Sequence, residues 1–158
     1  MEKVCRDWAK QAFGEGLVDA KYWDEFATNA QTAAAEVYKV KDFAAGEAKL
    51  KELLAQYAPK EIIAVGGEEN PALHDIYERI GKDGTQIYTD KFDIYDHRDS
   101  ADVGISTAEF CVAETGSLCV DNYSYEARVT SMLPFVNIVF VFFYYIVKDV
   151  TVACQIIG

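Results

Sequence analysis

The sequence predicts an α/β fold: a single domain with a parallel-to-mixed sheet flanked by helices. Three observations carry this. Over residues 1–100, stretches with apolar residues at helical spacing alternate with short β-branched runs, a pattern that implies parallel strands joined by right-handed helical crossovers. Beyond residue 100 the chain turns strand-rich, with VGIS, EFCVA, SLCVD and VNIVFVFF broken by one helical stretch, EARVTSML. At 158 residues, 51% hydrophobic and 26% charged, it is long enough for one core and too apolar for disorder.

The elements follow in order. Val4, Trp8, Ala12 and Phe13 share one helical face and Tyr22, Trp23, Phe26 and Ala30 another, with Gly14 and Gly16 between them. Residues 1–34 are therefore assigned as N-terminal helices and 35–158 as the α/β domain. AEVYKV, Ala35 to Val40, alternates and reads as a strand. Leu50, Leu53, Leu54 and Tyr57 mark a helix that must end before Pro59, and EIIAVGG after it suits a buried parallel strand. The next helix opens with Asn70 as N-cap and Pro71 at its first position, and it carries Leu73, Ile76, Tyr77 and Ile80 up to Gly81. TQIYTD is a further strand. His74, on that helix, is given a structural place, and His97, in YDHRDS, a solvated loop.

MLPFVNIVFVFFYYIV, Met132 to Val147, is almost wholly apolar. It is shorter than the ~20 residues a spanning helix needs and contains Pro134 and Asn137, so it reads as a central buried strand and no membrane segment is expected. A strand this apolar needs cover on both faces. The β-branched Val150, Val152, Ile156 and Ile157 make a final helix marginal, and the sequence stops at Gly158. Self-association, hiding the C-terminal apolar surface in a homo-oligomer, is the resulting expectation.

A formal charge of −11 argues against nucleic-acid binding, since phosphate neutralisation needs a stripe of Lys and Arg. The N-terminus, MEKVCRDWAKQ, has no apolar stretch of the kind a secretion signal carries, so the cytoplasm is the expected compartment. Cys5, Cys111, Cys119 and Cys154 form no C-x-x-C pair and stand apart in sequence from both histidines. No metal site and no cofactor ligand is expected from that spacing.

The stretch FCVAETGSLCV interrupts two apolar runs with Glu114, Thr115, Gly116 and Ser117. Gly116 is free to adopt a positive φ that brings backbone N–H groups to an anion, with Thr115 and Ser117 adding hydroxyls. Glu114 is either a carboxylate that takes a proton from a substrate hydroxyl or the polar first residue of a turn. Arg128 and Lys148 are the only Lys or Arg from Asp99 onward, so Arg128 is the first choice for an anion contact, set against a plain surface ion pair. Asp102 either shapes the E-T-G loop by hydrogen bonding or caps a strand or helix. Asn122 and Asn137 are candidates for further polar contacts.

Residues Ala101 to Val141 resemble the LUD-domain family, the lactate-utilisation proteins. The family pattern is similar to A-D-x-G-I-[ST]-x-A-x-x-x-[IV]-A-E-T-G-[ST], followed by an arginine and then L-P-x-V-H-I. It is matched here by Ala101, Asp102, Gly104, Ile105, Ser106, Ala108, Ala113, Glu114 to Ser117, Arg128, Leu133, Pro134, Val136 and Ile138. The match covers about a quarter of the chain densely. It implies a fold like that of the CoA-transferase and sugar-phosphate isomerase superfamily. It also implies a part in the oxidation of L-lactate to pyruvate beside iron–sulfur partner subunits, with this chain similar to the cluster-free lactate-utilisation protein C. Two departures stand out: the family histidine is Asn137 here, which leaves hydrogen bonding and removes proton transfer, and the family's later Ser-Gly-Pro-Ser loop and His-Gly segment do not follow, so the domain is expected to be incomplete at its C-terminus.

Three functions compete at this point. The preferred one is a non-redox accessory subunit that binds a small anionic ligand or partner proteins around Glu114 and Arg128, with these residues expected to share one cleft. The second, by analogy with CoA transferases, makes Glu114 a nucleophile that forms an acyl anhydride and then a thioester. The third makes E-T-G-S a plain turn in a structural domain.

Overall fold

A computed structural model of the chain describes residues 17–120, 124–142 and 144–157. The expected helix through Val4 to Phe13 lies outside them, as does Asn122. A short 3-10 turn, Ala20–Tyr22, leads into α1 (Trp23–Thr32). Then come α2 (Phe43–Tyr57), β1 (Glu61–Ala64), α3 (Pro71–Lys82), β2 (Gln86–Tyr88), α4 (Lys91–His97) and β3 (Val103–Thr107). β4 (Phe110–Val112), β5 (Ser117–Cys119), α5 (Tyr125–Met132), β6 (Val136–Phe140), β7 (Ile146–Val147) and α6 (Val150–Ile157) complete the series.

Helix starts follow local chemistry. Asp42 accepts the Ala45 N–H at 2.8 Å, Asn70 the Ala72 N–H at 3.1 Å, Asp90 the Phe92 N–H at 2.8 Å, and Ser124 the Ala127 N–H at 3.1 Å. Each satisfies a donor that the first helical turn leaves without an intrahelical partner. α2 stops at Ala58, whose φ of 46° is left-handed, one residue before Pro59.

The chain divides into two compact units, interleaved in sequence. The larger unit, Lys39–Thr107 with Ser124–Phe140, is a parallel sheet in the order β2-β1-β3-β6. Alternation along the strands sends Ile62, Ala64, Val103 and Ile105 to one face, where Leu50 and Leu54 of α2 and Leu73, Ile76, Tyr77 and Ile80 of α3 cover them. Ile63 goes to the other face and meets Ile94, Ala101 and Val129 beneath α4 and α5. Each fully buried Ile, Leu or Val among them contributes about 1.5–3 kcal/mol. Gly104 allows the second layer to sit close: a Cβ there would lie 2.1 Å from the Thr130 carbonyl oxygen of α5.

The smaller unit takes its described residues from Met1–Tyr38, Ala108–Tyr123 and Val141–Gly158. Its sheet runs β5-β4-β7, antiparallel between β4 and β5 and parallel between β4 and β7. Cys111, Ala113 and Ile146 face Phe26 and Ala30 of α1, whereas Phe110, Val112 and Val147 face Ala153 and Ile156 of α6. Both units together give the α/β class with a parallel and a mixed sheet flanked by helices.

Four readings of the sequence are corrected. AEVYKV forms no strand: residues 35–40 lie where the chain passes from one unit to the other, with no ladder partner among the described residues, and β-propensity without a partner does not make a strand. Met132 to Val147 is not one central strand. Its first half is β6, a half-buried strand at the end of the parallel sheet, and its last two residues are β7 in the other unit. The final helix does form, because burial of Ala153 and Ile156 outweighs β-branched propensity. His97 is not in a solvated loop but closes α4, which its periodicity hid: Ile94 is the helix's one buried residue, while Phe92 and Tyr95 point outward.

Candidate functional site

The turn Glu114–Ser117 joins β4 to β5, and its backbone is held from three directions. The Gly116 N–H donates to the Val112 carbonyl at 2.9 Å, closing the turn on itself. The Asn29 side-chain amide on α1 donates to the Ala113 and Glu114 carbonyls at 2.8 and 3.1 Å. The Glu114 N–H donates to the Lys148 carbonyl at 3.0 Å. Gly116 adopts φ 67°, and a Cβ on it would fall 2.2 Å from the Ala30 nitrogen, so glycine is required both by conformation and by the closeness of α1.

The side chains of the turn divide by role. Glu114 Oε2 accepts the Val150 N–H at 3.2 Å, and Asp149 Oδ1 accepts the Val152 N–H at 2.9 Å, so two carboxylates occupy the N-terminal end of α6. That end favours negative charge, and the chain supplies it internally. Thr115 and Ser117 remain exposed. The turn thus presents two hydroxyl groups on a fixed backbone, with Glu114 exposed beside them. Sequence reasoning missed Asn29. Its only signal was an amide beside the inward-facing Ala30 of an amphipathic helix.

Asp102, Arg128 and Asn137 belong to the larger unit. Asp102 Oδ2 accepts the Lys60 N–H at 2.7 Å, its own N–H donates to Glu61 O at 3.0 Å, and its carbonyl accepts the Val136 N–H at 3.2 Å. Asp102 thereby fastens the starting ends of β1, β3 and β6. Asn137 donates its side-chain N–H to the Ser131 carbonyl, tying β6 to the end of α5. Arg128 stands exposed on α5.

A second polar cluster lay unseen in the sequence. His97 Nδ1 is 3.1 Å from Glu61 Oε2, and the Ser100 hydroxyl donates to the same oxygen. The His97 ring stacks on Tyr88 at 3.7 Å between centroids, with 9° between planes. Hydrogen bonding from Ser100, and then from His97, holds the Glu61 carboxyl below its ordinary value. A groove of about 340 Å³ is lined by Lys51, Leu54, Ala55, Ala58, Pro59, Ile80, Asp83 and Thr85, none of them a motif residue. Among the described residues no group of three or more His, Cys, Asp or Glu side chains is placed to hold a metal ion. No described helix is long and apolar enough to cross a membrane.

The profile of the LUD domain matches residues 23–158, from the first residue of α1 onward and through both units. The chain belongs to the LUD-domain family. Neither a curated protein nor a solved structure matches it. Within this LUD domain, the motif glycines have separate physical duties: Gly104 lets α5 approach β3, and Gly116 lets the turn approach α1.

Proposed function

We propose that this LUD-domain chain is a non-redox accessory component in the oxidation of L-lactate to pyruvate. It works in the cytoplasm beside iron–sulfur partner subunits and binds a small anion at the turn Glu114–Ser117. The supporting observation is that the backbone of this turn is fixed by Asn29, Lys148 and the close approach of α1, while Thr115 and Ser117 stay exposed. A turn whose backbone is already ordered can offer these hydroxyls to a carboxylate without the cost of ordering the loop. Clustered cysteines are missing from the sequence, so the electrons are assigned to the partner subunits. Arg128, on the larger unit, is a candidate anion contact in its own right.

The acyl-transfer reading asks more of Glu114. Its carboxylate is engaged with the Val150 N–H and would have to leave the α6 terminus to attack a thioester. Two measurements test the preferred reading. In a thermal-shift series, lactate or pyruvate raises the Tm of the wild type and fails to raise that of the Thr115→Val, Ser117→Ala double variant. A pull-down from cells grown on lactate recovers the iron–sulfur subunits. No Tm response together with no such recovery overturns the proposal.

A further inference from the structure

Register places a donor and an acceptor of the Glu114–Ser117 turn on one side of their sheet. β4 and β5 pair with Ser117 opposite Val112. Residues directly opposite in an antiparallel pair send their side chains to the same face, and Val112 packs with Ala153 and Ile156 of α6. Ser117 therefore stands on the α6 face. So does the Glu114 carboxylate, whose Oε2 accepts the Val150 N–H at the start of α6. Both residues are exposed, and their chemistry differs: the hydroxyl donates or accepts, whereas the ionised carboxylate only accepts.

The unused hydrogen-bonding capacity defines the ligand. Among the described residues Glu114 Oε1 and the hydroxyls of Thr115 and Ser117 make no hydrogen bond. A plain anion uses only the hydroxyls, and does so beside two carboxylates, Glu114 and Asp149, both turned to the α6 terminus. Lys148, its Nζ 4.0 Å from Asp149 Oδ2, offsets one of these charges. A ligand that brings a donor of its own gains a charge-assisted hydrogen bond to Glu114 Oε1. A 2-hydroxy acid has both parts, a carboxylate to accept from Ser117 and a hydroxyl on the next carbon to donate to Glu114. The corresponding 2-oxo acid accepts at both places, so its keto oxygen faces the carboxylate lone pairs with no proton between them.

We propose that Glu114 is the specificity-determining residue of this turn, selecting a small 2-hydroxy acid over its 2-oxo counterpart through the ligand's hydroxyl. The inference rests on the reading that the turn binds a small carboxylate, and it adds which member of an oxidation pair is held. Glu114 performs the selection without leaving α6, because Oε2 keeps the Val150 N–H while Oε1 meets the ligand.

Titration of the full chain with L-lactate, pyruvate and propanoate, followed by calorimetry or ligand-observed NMR, tests it. The wild type is expected to bind L-lactate about tenfold or more tightly than either of the others, the worth of one hydrogen bond to a charged group. In Glu114→Gln the amide oxygen still accepts the Val150 N–H, and the amide N–H now donates to a keto oxygen. Loss of a negative charge favours both anions, so the readout is the ratio of the two affinities, which should fall by about tenfold toward one. Ser117→Ala should weaken lactate and pyruvate alike and leave that ratio unchanged. Circular dichroism and Tm confirm that these exposed substitutions leave the fold intact. Equal binding of lactate and pyruvate by the wild type overturns the proposal, as does a ratio that Glu114→Gln leaves unchanged, and in either case the turn still stands as a carboxylate site. A wild type that binds neither acid overturns the carboxylate reading, and the selectivity with it.

Discussion

Glu114 and Val150 meet where the E-T-G-S turn touches the last helix: Glu114 Oε2 accepts the first helical N–H of α6 at 3.2 Å. The family-motif carboxylate is therefore also a helix cap. Substitution separates the two roles. Glu114→Ala should cost about 0.5–2 kcal/mol through lost capping and lost charge at the helix end, and Glu114→Gln less, since an amide oxygen still accepts. Calorimetry on both variants checks this. Two variants with the wild-type Tm would show that the contact contributes nothing.

Gly116→Ala should be far more damaging than an ordinary turn substitution. The added Cβ meets the α1 backbone at 2.2 Å, and φ 67° disfavours any L side chain. Overpacking against backbone costs about 1–3 kcal/mol or more, and the left-handed conformation adds to it. Urea denaturation should show a midpoint lowered accordingly, and loss of the tilted Trp23–Phe26 contact in near-ultraviolet dichroism would trace the damage to α1.

Thr130→Val should stabilise the protein. The Thr130 side chain is fully buried in α5, and its hydroxyl has no hydrogen-bond partner among the described residues. An unsatisfied buried hydroxyl costs about 1–3 kcal/mol, and valine replaces threonine with nearly the same shape. A Tm that falls instead would reveal a partner for this hydroxyl.

Much of this was legible in the sequence because the signals were local. Asn70-Pro71 fixed the start of α3, Pro59 set the limit of α2, and the spacing of Leu73, Ile76, Tyr77 and Ile80 named the buried face of α3 correctly. The failures share a physical cause. Ala35 to Val40 has strand composition, but a strand is decided by its neighbour, and the neighbour is a matter of topology. Met132 to Val147 was a continuous apolar run, and nothing local marked the passage from one unit to the other at Val141. The site divides in the same way. Glu114 to Ser117 announced itself through composition, whereas Asn29 and Val150 come to it only through the fold.

Cys111 and Cys154 should differ sharply in reactivity. Burial, with a smaller contribution from Cys119, pushes the Cys111 thiol up to about 12, so almost no thiolate exists near neutral pH. Cys154 is exposed on α6. Alkylation of the native protein followed by peptide mapping should label Cys154 and leave Cys111 unmodified until denaturant is added. Equal labelling of both would show that the core around β4 opens readily.

The Glu61 cluster predicts an acid limit to stability. The Ser100 hydroxyl and His97 both favour the ionised carboxylate, so the Glu61 pKa is depressed in the folded state below its ordinary value of 4.5. A group whose folded pKa is lower than its unfolded one binds fewer protons in the native state. It therefore adds stability that is fully present above the unfolded value and is lost as pH falls through the folded one. Near pH 7 the wild type should melt above Glu61→Gln. The gap should hold as the solution is acidified toward the ordinary glutamate range, narrow below it, and close once Glu61 is protonated. Ser100→Ala should raise the pH at which the gap closes, because Ser100 is the larger of the two influences. His97→Phe keeps a ring stacked on Tyr88 while removing the contact with Glu61, and it should move the closure in the same direction by less. Melting curves for these variants between neutral and acid pH check the argument, and a wild-type advantage that stays constant down to full protonation would remove the Glu61 carboxylate from it.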